Sequence, residues 1–312
     1  MFDLDDIRAF AEVAEAGGFG RAGRALGLSK SMVSRRVARL EAELGAQLLS
    51  RTTRGVVVTE AGVAFKAHAD RVLAELEAAR EAVADQGGEV VGKLRVAAPL
   101  SFGITHLAPV LAELAVRHPR LQVDAAYADR TVDLIGERYD AAIRMGVLKD
   151  SSLIARKIAP IKAVCVASPA YLARRGTPQV PADLEGHDAV TLPEELWRFG
   201  VGRREVVIRP KARVRADIGP ALIEAVVAGL GVAVLPTFLA GPRLDTGELV
   251  PLLLDYPLPE AGLYVVRPPP AGPMTGKVRA LTDILIEHFG GEPTWDACYA
   301  GLAARHRAVA ED

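Results

Sequence analysis

The sequence predicts an α/β protein overall: a helical head carrying a two-stranded wing, then one long helix, then an α/β body in two lobes. Three observations carry this prediction. The first 58 residues alternate helical apolar spacing with glycine stops. Residues 59–88 repeat their apolar positions by fours and threes. From Lys93 onward, short Val- and Ala-rich runs alternate with helical patterns, the order of βαβ units. At 312 residues the chain exceeds one core, since domains run to roughly 100–200 residues.

The head is a winged helix-turn-helix by local chemistry. Leu4, Ile7, Phe10, Ala11 and Ala14 recur at helical spacing, and Gly17-Gly18 stops them. A second helix over about 20–26 puts Phe19, Ala22 and Leu26 on one side, and Gly27 supplies a left-handed stop. Ser29 stands where a helix N-cap belongs. The third helix, about 30–44, buries Val33, Val37, Leu40 and Leu44 and turns Ser31, Ser34, Arg35 and Ala38 outward. Residues 47–59 read as a hairpin with Arg51, Thr52, Thr53, Arg54 and Gly55 at its tip.

Net charge is −1 for the whole chain, yet residues 20–58 hold eight cations and only Glu41 and Glu43 as acids, a local +6. Such a patch is the footprint of a nucleic-acid surface, although a solvated helix face has the same composition. A helix-turn-helix presents the start of its second helix to base edges, and a wing suits phosphates or the minor groove. The expected DNA contacts are Arg21, Ser29, Lys30, Ser31, Met32, Ser34, Arg35, Arg36, Arg39, Arg51, Thr52 and Arg54.

Thr59 caps the long helix, and Glu60 suits its dipole. Phe65, Ala69, Val72, Leu76, Ala79 and Val83 form a heptad seam whose natural partner is a second copy. An amphipathic face lying on its own domain has the same pattern. Gly87-Gly88 ends the helix. In the body, strands are expected at 94–98, 121–127, 140–145, 161–167, 232–236 and 262–267, and near Val190, Val206 and Val214. Helices are expected over about 102–118, up to Tyr139, near Tyr171, over 218–228 and over 277–289. The chain should cross between lobes near 159–160 and return near 267–270.

Residues 1–88 resemble the DNA-binding domain of LysR-type transcriptional regulators. Val33-Ser34-Arg35, Leu40-Glu41 and the run Arg51-Thr52…Thr59-Glu60-Ala61-Gly62 carry the likeness most specifically. Gly18, Gly20 and Gly23 depart from it, since relatives usually hold Ser, Ser and Ala there. Gly20 thus removes a capping hydroxyl and phosphate contact, and Gly23 costs up to about 1 kcal/mol inside a helix. The motifs at 99–103, 140–146, 168–172, 181–184 and 228–231 extend the resemblance to an effector domain, itself similar to periplasmic binding proteins. The resemblance implies residues 1–58 as DNA-binding head, 59–88 as linker and dimerisation helix, and 89–289 as effector domain. Lobe 1 would be about 93–160 and 268–289, lobe 2 about 161–267, and 290–312 a tail read only as a candidate short helix. It also implies a homodimer or homotetramer on double-stranded DNA at an interrupted palindrome.

Ligands of open α/β sheets bind at the carboxyl ends of strands. Ser101 and Phe102 follow the first strand at a helix N-terminus suited to an anion, though Ser101 also reads as a plain N-cap. Asp129 and Arg130 follow the second strand, and Arg144 interrupts an apolar one; surface or internal ion pairs explain these equally. Asp217 and Ile218 precede a second-lobe helix and face the cleft by resemblance, where Asp217 opposes a highly charged ligand. The expected effector is a small organic acid.

Nothing points to catalysis or a cofactor. The six His lack metal spacing, no G-x-S-x-G elbow occurs, and Gly229-Leu-Gly231 runs from helix to strand, against dinucleotide order. Cys165 and Cys298 make no disulfide framework. No run of 18 apolar residues and no basic leader occur, so a cytoplasmic protein is expected. A ligand-responsive regulator leads; an architectural DNA-binding protein with a vestigial lobe and an enzyme-like lobe on a DNA tether stay open.

Overall fold

The computed structural model describes residues 3–52, 55–84, 89–130, 132–148, 151–269, 274–297 and 301. It divides into two compact units. One holds Met1–Val91, Asp133–Tyr139 and Pro270–Gly276, and the other holds the remaining chain.

The first unit is the head and the long helix. α1 (Leu4–Ala16), α2 (Phe19–Leu26) and α3 (Lys30–Leu44) end at Gly17, Gly27 and Gly45, each left-handed with φ near +65°. Their core joins Phe10, Val13, Phe19, Ala22, Val33, Val37 and Leu40. β1 (Leu49–Thr52) and β2 (Gly55–Val58) form the antiparallel wing. α4 (Glu60–Ala84) follows, capped by Thr59, whose Oγ1 accepts from Gly62 N at 3.0 Å and donates to Gln47 O at 2.7 Å. A Cβ at Gly62 would stand 2.0 Å from Leu48 O, so glycine there lets the helix start against the wing. The sequence expectation for Gly23 needs correction in the same terms. A Cβ there would meet Leu28 O at 2.7 Å, while Leu28 N donates to Gly23 O at 2.8 Å; the missing methyl makes the tight turn.

The second unit contains two lobes. In lobe 1, β3 (Gly92–Ala98) lies between parallel β4 (Leu121–Tyr127) and β5 (Ala141–Gly146). β6 (Ile154–Ile161) and β14 (Ala261–Arg267) extend this sheet antiparallel, in the order β4-β3-β5-β14-β6. α5 (Leu100–Phe102), a π turn (Gly103–Leu107) and α6 (Ala108–Arg117) form one continuous rod. Leu100–Arg117 is, among the described residues, the one helix long and apolar enough to cross a membrane, but Leu107, Val110, Leu111 and Leu114 are buried in lobe 1.

Lobe 2 is built on β7 (Ala163–Ala167), flanked antiparallel by β12 (Ala233–Pro236) and β13 (Val250–Leu252). α7 (Pro169–Arg175) follows β7, and β8 (Ala189–Thr191) pairs in parallel with β11 (Ala212–Arg215). β9 (Trp197–Val201) and β10 (Arg204–Ile208) form a hairpin, while α8 (Gly219–Val227) and α9 (Thr237–Asp245) cover the core. α10 (Gly276–Phe289) closes the fold, with its nearly buried Lys277 donating to Lys93 O at 2.9 Å and pairing with Asp140 at 2.8 Å.

Several expectations change. No helix leads to Tyr139; Asp133–Tyr139 is a turn, held by Asp133 Oδ1 accepting from Ile135 N and Gly136 N. The outward crossing lies at Lys162, between β6 and β7, and the return precedes Ala261. β14 belongs wholly to lobe 1, because it is hydrogen-bonded along its length to β5 on one side and β6 on the other. β6, β9, β13 and α9 lie where no element was read. The stretch after α10 is also ordered into the core, through a 3-10 turn at Thr294–Asp296.

Candidate nucleic-acid interface and effector site

The nucleic-acid surface is built by α3. Ser29 caps it, its Oγ accepting from Met32 N at 3.2 Å and lying 3.0 Å from Ser31 Oγ. Val33, Val37 and Leu40 are buried, which fixes the rotation of the helix. Lys30, Ser31, Met32 and Arg35 are therefore exposed along its outward face, with Ser34 half-buried beside them. Neither Lys30 nor Arg35 has an ion-pair partner among the described residues. Small hydroxyls beside unpaired cations suit close approach to a groove and hydrogen bonding to base edges.

Arg36 and Arg39, also expected on that face, are engaged by acids at the start of α1. Arg36 Nη1 pairs with Asp5 at 2.9 Å. Arg39 grips the buried Asp6 with both Nε and Nη2, the latter at 2.6 Å, and reaches Asp3 at 3.3 Å. These arginines clamp α3 to α1; the local charge count took in the arginines but not Asp3, Asp5 and Asp6 at the start of α1. Arg21 Nε donates to Ala16 O at the end of α1. Glu41 is a functional residue that residue-level reasoning missed, since its Oε1 accepts from Leu48 N at 2.8 Å and Leu49 N at 3.0 Å and so sets the root of the wing. Arg51 and Thr52 lie on β1; Thr53 and Arg54, expected at the wing tip, lie outside the described residues.

The heptad seam of α4 divides. Phe65 packs edge-on against Phe10 at 5.5 Å, and Ala69 is buried in the head core with Leu73 beside it. Those two seam positions serve the head itself, because the 65-69-73 stripe faces it at spacing four. Val72 and Ala79 are exposed and Leu76 is half-buried, leaving a shorter apolar face; the side chain of Val83 lies outside the described residues. The buried Asp70 pairs with Lys66 at 2.7 Å and with Arg138, which also reaches Glu15 at 3.3 Å.

In the second unit the effector residues separate into two groups. Ser101 is buried, with its Oγ 3.5 Å from where a Cβ at Gly219 would stand, so α5 and the start of α8 approach across the lobes. α8 has no side-chain cap, since Ile218 occupies the N-cap and the neighbouring Asp217 is exposed. Arg144 is half-buried and donates to Val132 O at 3.3 Å. By contrast, Asp129 Oδ1 already accepts from Leu100 N at 2.9 Å, so a protein carboxylate occupies the α5 terminus expected to hold an anion. Arg130 is exposed beyond it.

Phe102 is a correction. It is 0% exposed, ringed by His106, Phe238, Phe289 and Trp295 at 5.1–5.6 Å, and has no surface to offer a ligand. The tail brings Trp295 there. Asp296 is buried beside it, accepts from Thr237 Oγ1, and lies 3.4 Å from Lys162 Nζ. Burial holds the His106 imidazole below its ordinary range and pushes the wholly buried Cys165 thiol far up. Glu113, Glu287 and His288 lie close enough to ligate a metal, but Arg117 already bridges both carboxylates.

A helix-turn-helix with an exposed polar and cationic face, a wing and a two-lobed α/β body define a DNA-binding regulator with an effector domain. Residues 4–63 match the bacterial regulatory helix-turn-helix protein, lysR family, and residues 87–290 match the LysR substrate binding domain. The chain belongs to the LysR family of ligand-responsive transcriptional regulators. It is 40% identical over 298 residues to the HTH-type transcriptional regulator PtxR of Pseudomonas aeruginosa, covering 93% of this chain and 94% of that one. It is 31% identical over 289 residues to the regulator CrgA of Neisseria meningitidis serogroup C, covering 92% and 97%. Among solved structures, that of CrgA from Neisseria meningitidis aligns with a TM-score of 0.58 at 30% identity, over 92% of this chain and 99% of that one. The full-length structure of the Vibrio cholerae virulence activator AphB aligns with a TM-score of 0.60 at 27% identity, over 91% and 99%.

Proposed function

We propose that this regulator senses a small organic acid held where α5 meets the start of α8. The uncapped amides of α8 beside the buried Ser101 hydroxyl carry this reading. Arg144 and Arg130 add positive charge in lobe 1, and the exposed Asp217 disfavours a ligand with several negative charges. The α5 terminus, already taken by Asp129, has a positioning role. We further propose residues 1–58 as the DNA-reading head, 59–88 as linker and 89–289 as effector domain, acting without catalysis in the cytoplasm. Two heads, joined through Val72, Leu76 and Ala79 of α4, would read an interrupted palindrome as a homodimer or homotetramer.

A thermal-shift screen of metabolite acids tests the sensing site. A micromolar acid at hundredfold excess should stabilise the fold by about 2.7 kcal/mol. The shift should vanish in Ser101→Ala combined with Arg144→Ala. Shifts confined to cations or neutral sugars, or surviving both substitutions, contradict the placement.

A further inference from the structure

We propose that the outer edge of lobe 2 is a second DNA-binding surface, which takes duplex phosphates without reading sequence. Residues 203–215 hold six cations and one acid in a chain whose net charge is −1. The acid, Glu205, is committed to Arg198 at 3.1 Å. Arg209, Lys211, Arg213 and Arg215 occupy every second position and are all exposed, while Pro210, Ala212 and Val214 between them are partly or wholly buried. Arg213 and Arg215 lie on β11, whose pairing with β8 carries a bulge between Ala212 and Val214, and Arg209 and Lys211 lie just before that strand; the alternation of exposure turns all four cations to solvent.

None of these four side chains has a carboxylate partner among the described residues, although Arg39, Arg117, Arg138 and Arg243 of the same chain all do. β11, which carries Arg213 and Arg215, is hydrogen-bonded to β8 alone, so among the described strands its other side is open. A single lysine is enough to blunt a sheet edge against unwanted pairing. Four unneutralised cations within seven residues exceed that need and repel one another unless an anion lies along them. Between Arg213 and Arg215 two residues of strand advance about 6.7 Å, close to the axial rise of two successive phosphates at about 3.4 Å each. Three of the four are arginines, whose planar fork pairs with phosphate oxygens. A nucleic-acid backbone is thus the polyanion whose charge repeat fits the stripe.

The test uses the full chain and random-sequence duplexes of about 80 base pairs, since phosphate contact needs no operator. Affinity is titrated at several salt concentrations for the wild type and for Arg209→Gln, Lys211→Gln, Arg213→Gln and Arg215→Gln combined. Each lost phosphate contact flattens the slope of log affinity against log salt by about 0.9, so the combined variant should lose about 3 to 4 in slope per engaged lobe. The charge-preserving variant, Arg209→Lys with Arg213→Lys and Arg215→Lys, should keep the slope, and Lys211→Glu alone should lower it if the combined variant fails to fold. A head variant, Lys30→Ala with Arg35→Ala, should flatten the slope independently and separate the two surfaces. An unchanged slope in the folded stripe variants overturns the proposal. So does an unchanged slope together with a lost effect on transcription by purified polymerase, which would assign the stripe to an acidic protein surface.

Discussion

The two units of this regulator assemble their working surfaces in opposite ways. The head builds its surface from one stretch of sequence, where Ser29 caps α3 and Lys30, Ser31 and Arg35 follow within six residues. The second unit brings Ser101 to Gly219 across 118 positions and two lobes, and buries Phe102 beside Trp295 from the tail. A local surface is set by helix rotation alone. An assembled one depends on every layer beneath it, so substitutions there should act first on stability and only then on binding.

The largest expected effect tests that contrast in the second unit. Phe102→Ala empties the centre of the aromatic cluster and should cost about 3–5 kcal/mol, in line with other buried Phe truncations. Calorimetry should show the loss with and without any effector present. A variant of unchanged stability would return Phe102 to the ligand site.

Acidification should separate the units next. Burial holds His106 and His187 below the ordinary imidazole range in the folded protein. Their folded values are depressed, so below about pH 6.5 the unfolded chain binds protons that the fold resists. Stability from these groups is complete above that pH and declines as pH falls beneath it. Thermal melts between pH 8 and 5.5 should therefore drop for the second unit, with a weaker dependence in His106→Gln. A melt that rises on acidification, or one unchanged by His106→Gln, contradicts the burial argument.

The smallest effect lies in the head, at two glycines of α2. Gly20 faces open space, so Gly20→Ala should stabilise by up to about 1 kcal/mol. Gly23→Ala instead drives a methyl into Leu28 O and should destabilise by about 1–3 kcal/mol. Denaturant titrations of the two variants should move in opposite directions, and parallel shifts would refute the close turn.

These contrasts also mark how far the sequence could be read. The head was legible to the level of caps and turns, because Gly17, Gly27, Ser29 and Gly45 act through neighbours in the chain. The parallel strands of lobe 1 were legible from their apolar runs, although the helix expected between β4 and β5 is a turn. What escaped was set by partners far along the chain. Arg39 looks like a DNA contact until Asp6, 33 positions away, is folded against it. Phe65 and Ala69 fit a heptad seam until Phe10 is placed beneath them. β14 reads as a lobe 2 strand until its pairing with β5 and β6 draws it into lobe 1. The role of Asp129 at Leu100 likewise depends on two strand ends meeting.

The division of α3 into a reading face and a clamping face is tested most directly by comparing Arg35→Ala with Arg39→Ala, measuring melting temperature and DNA affinity on the same preparations. Arg35→Ala should leave the melting temperature unchanged and cost about 1–3 kcal/mol at the specific site, relaxing sequence preference there. Arg39→Ala should lower the melting temperature of the head, because Asp6 loses its partner inside the fold, while the folded fraction keeps the wild-type salt slope. The reverse pattern, with Arg39→Ala changing sequence preference at full stability and Arg35→Ala unfolding the head, would contradict the assignment of the two faces.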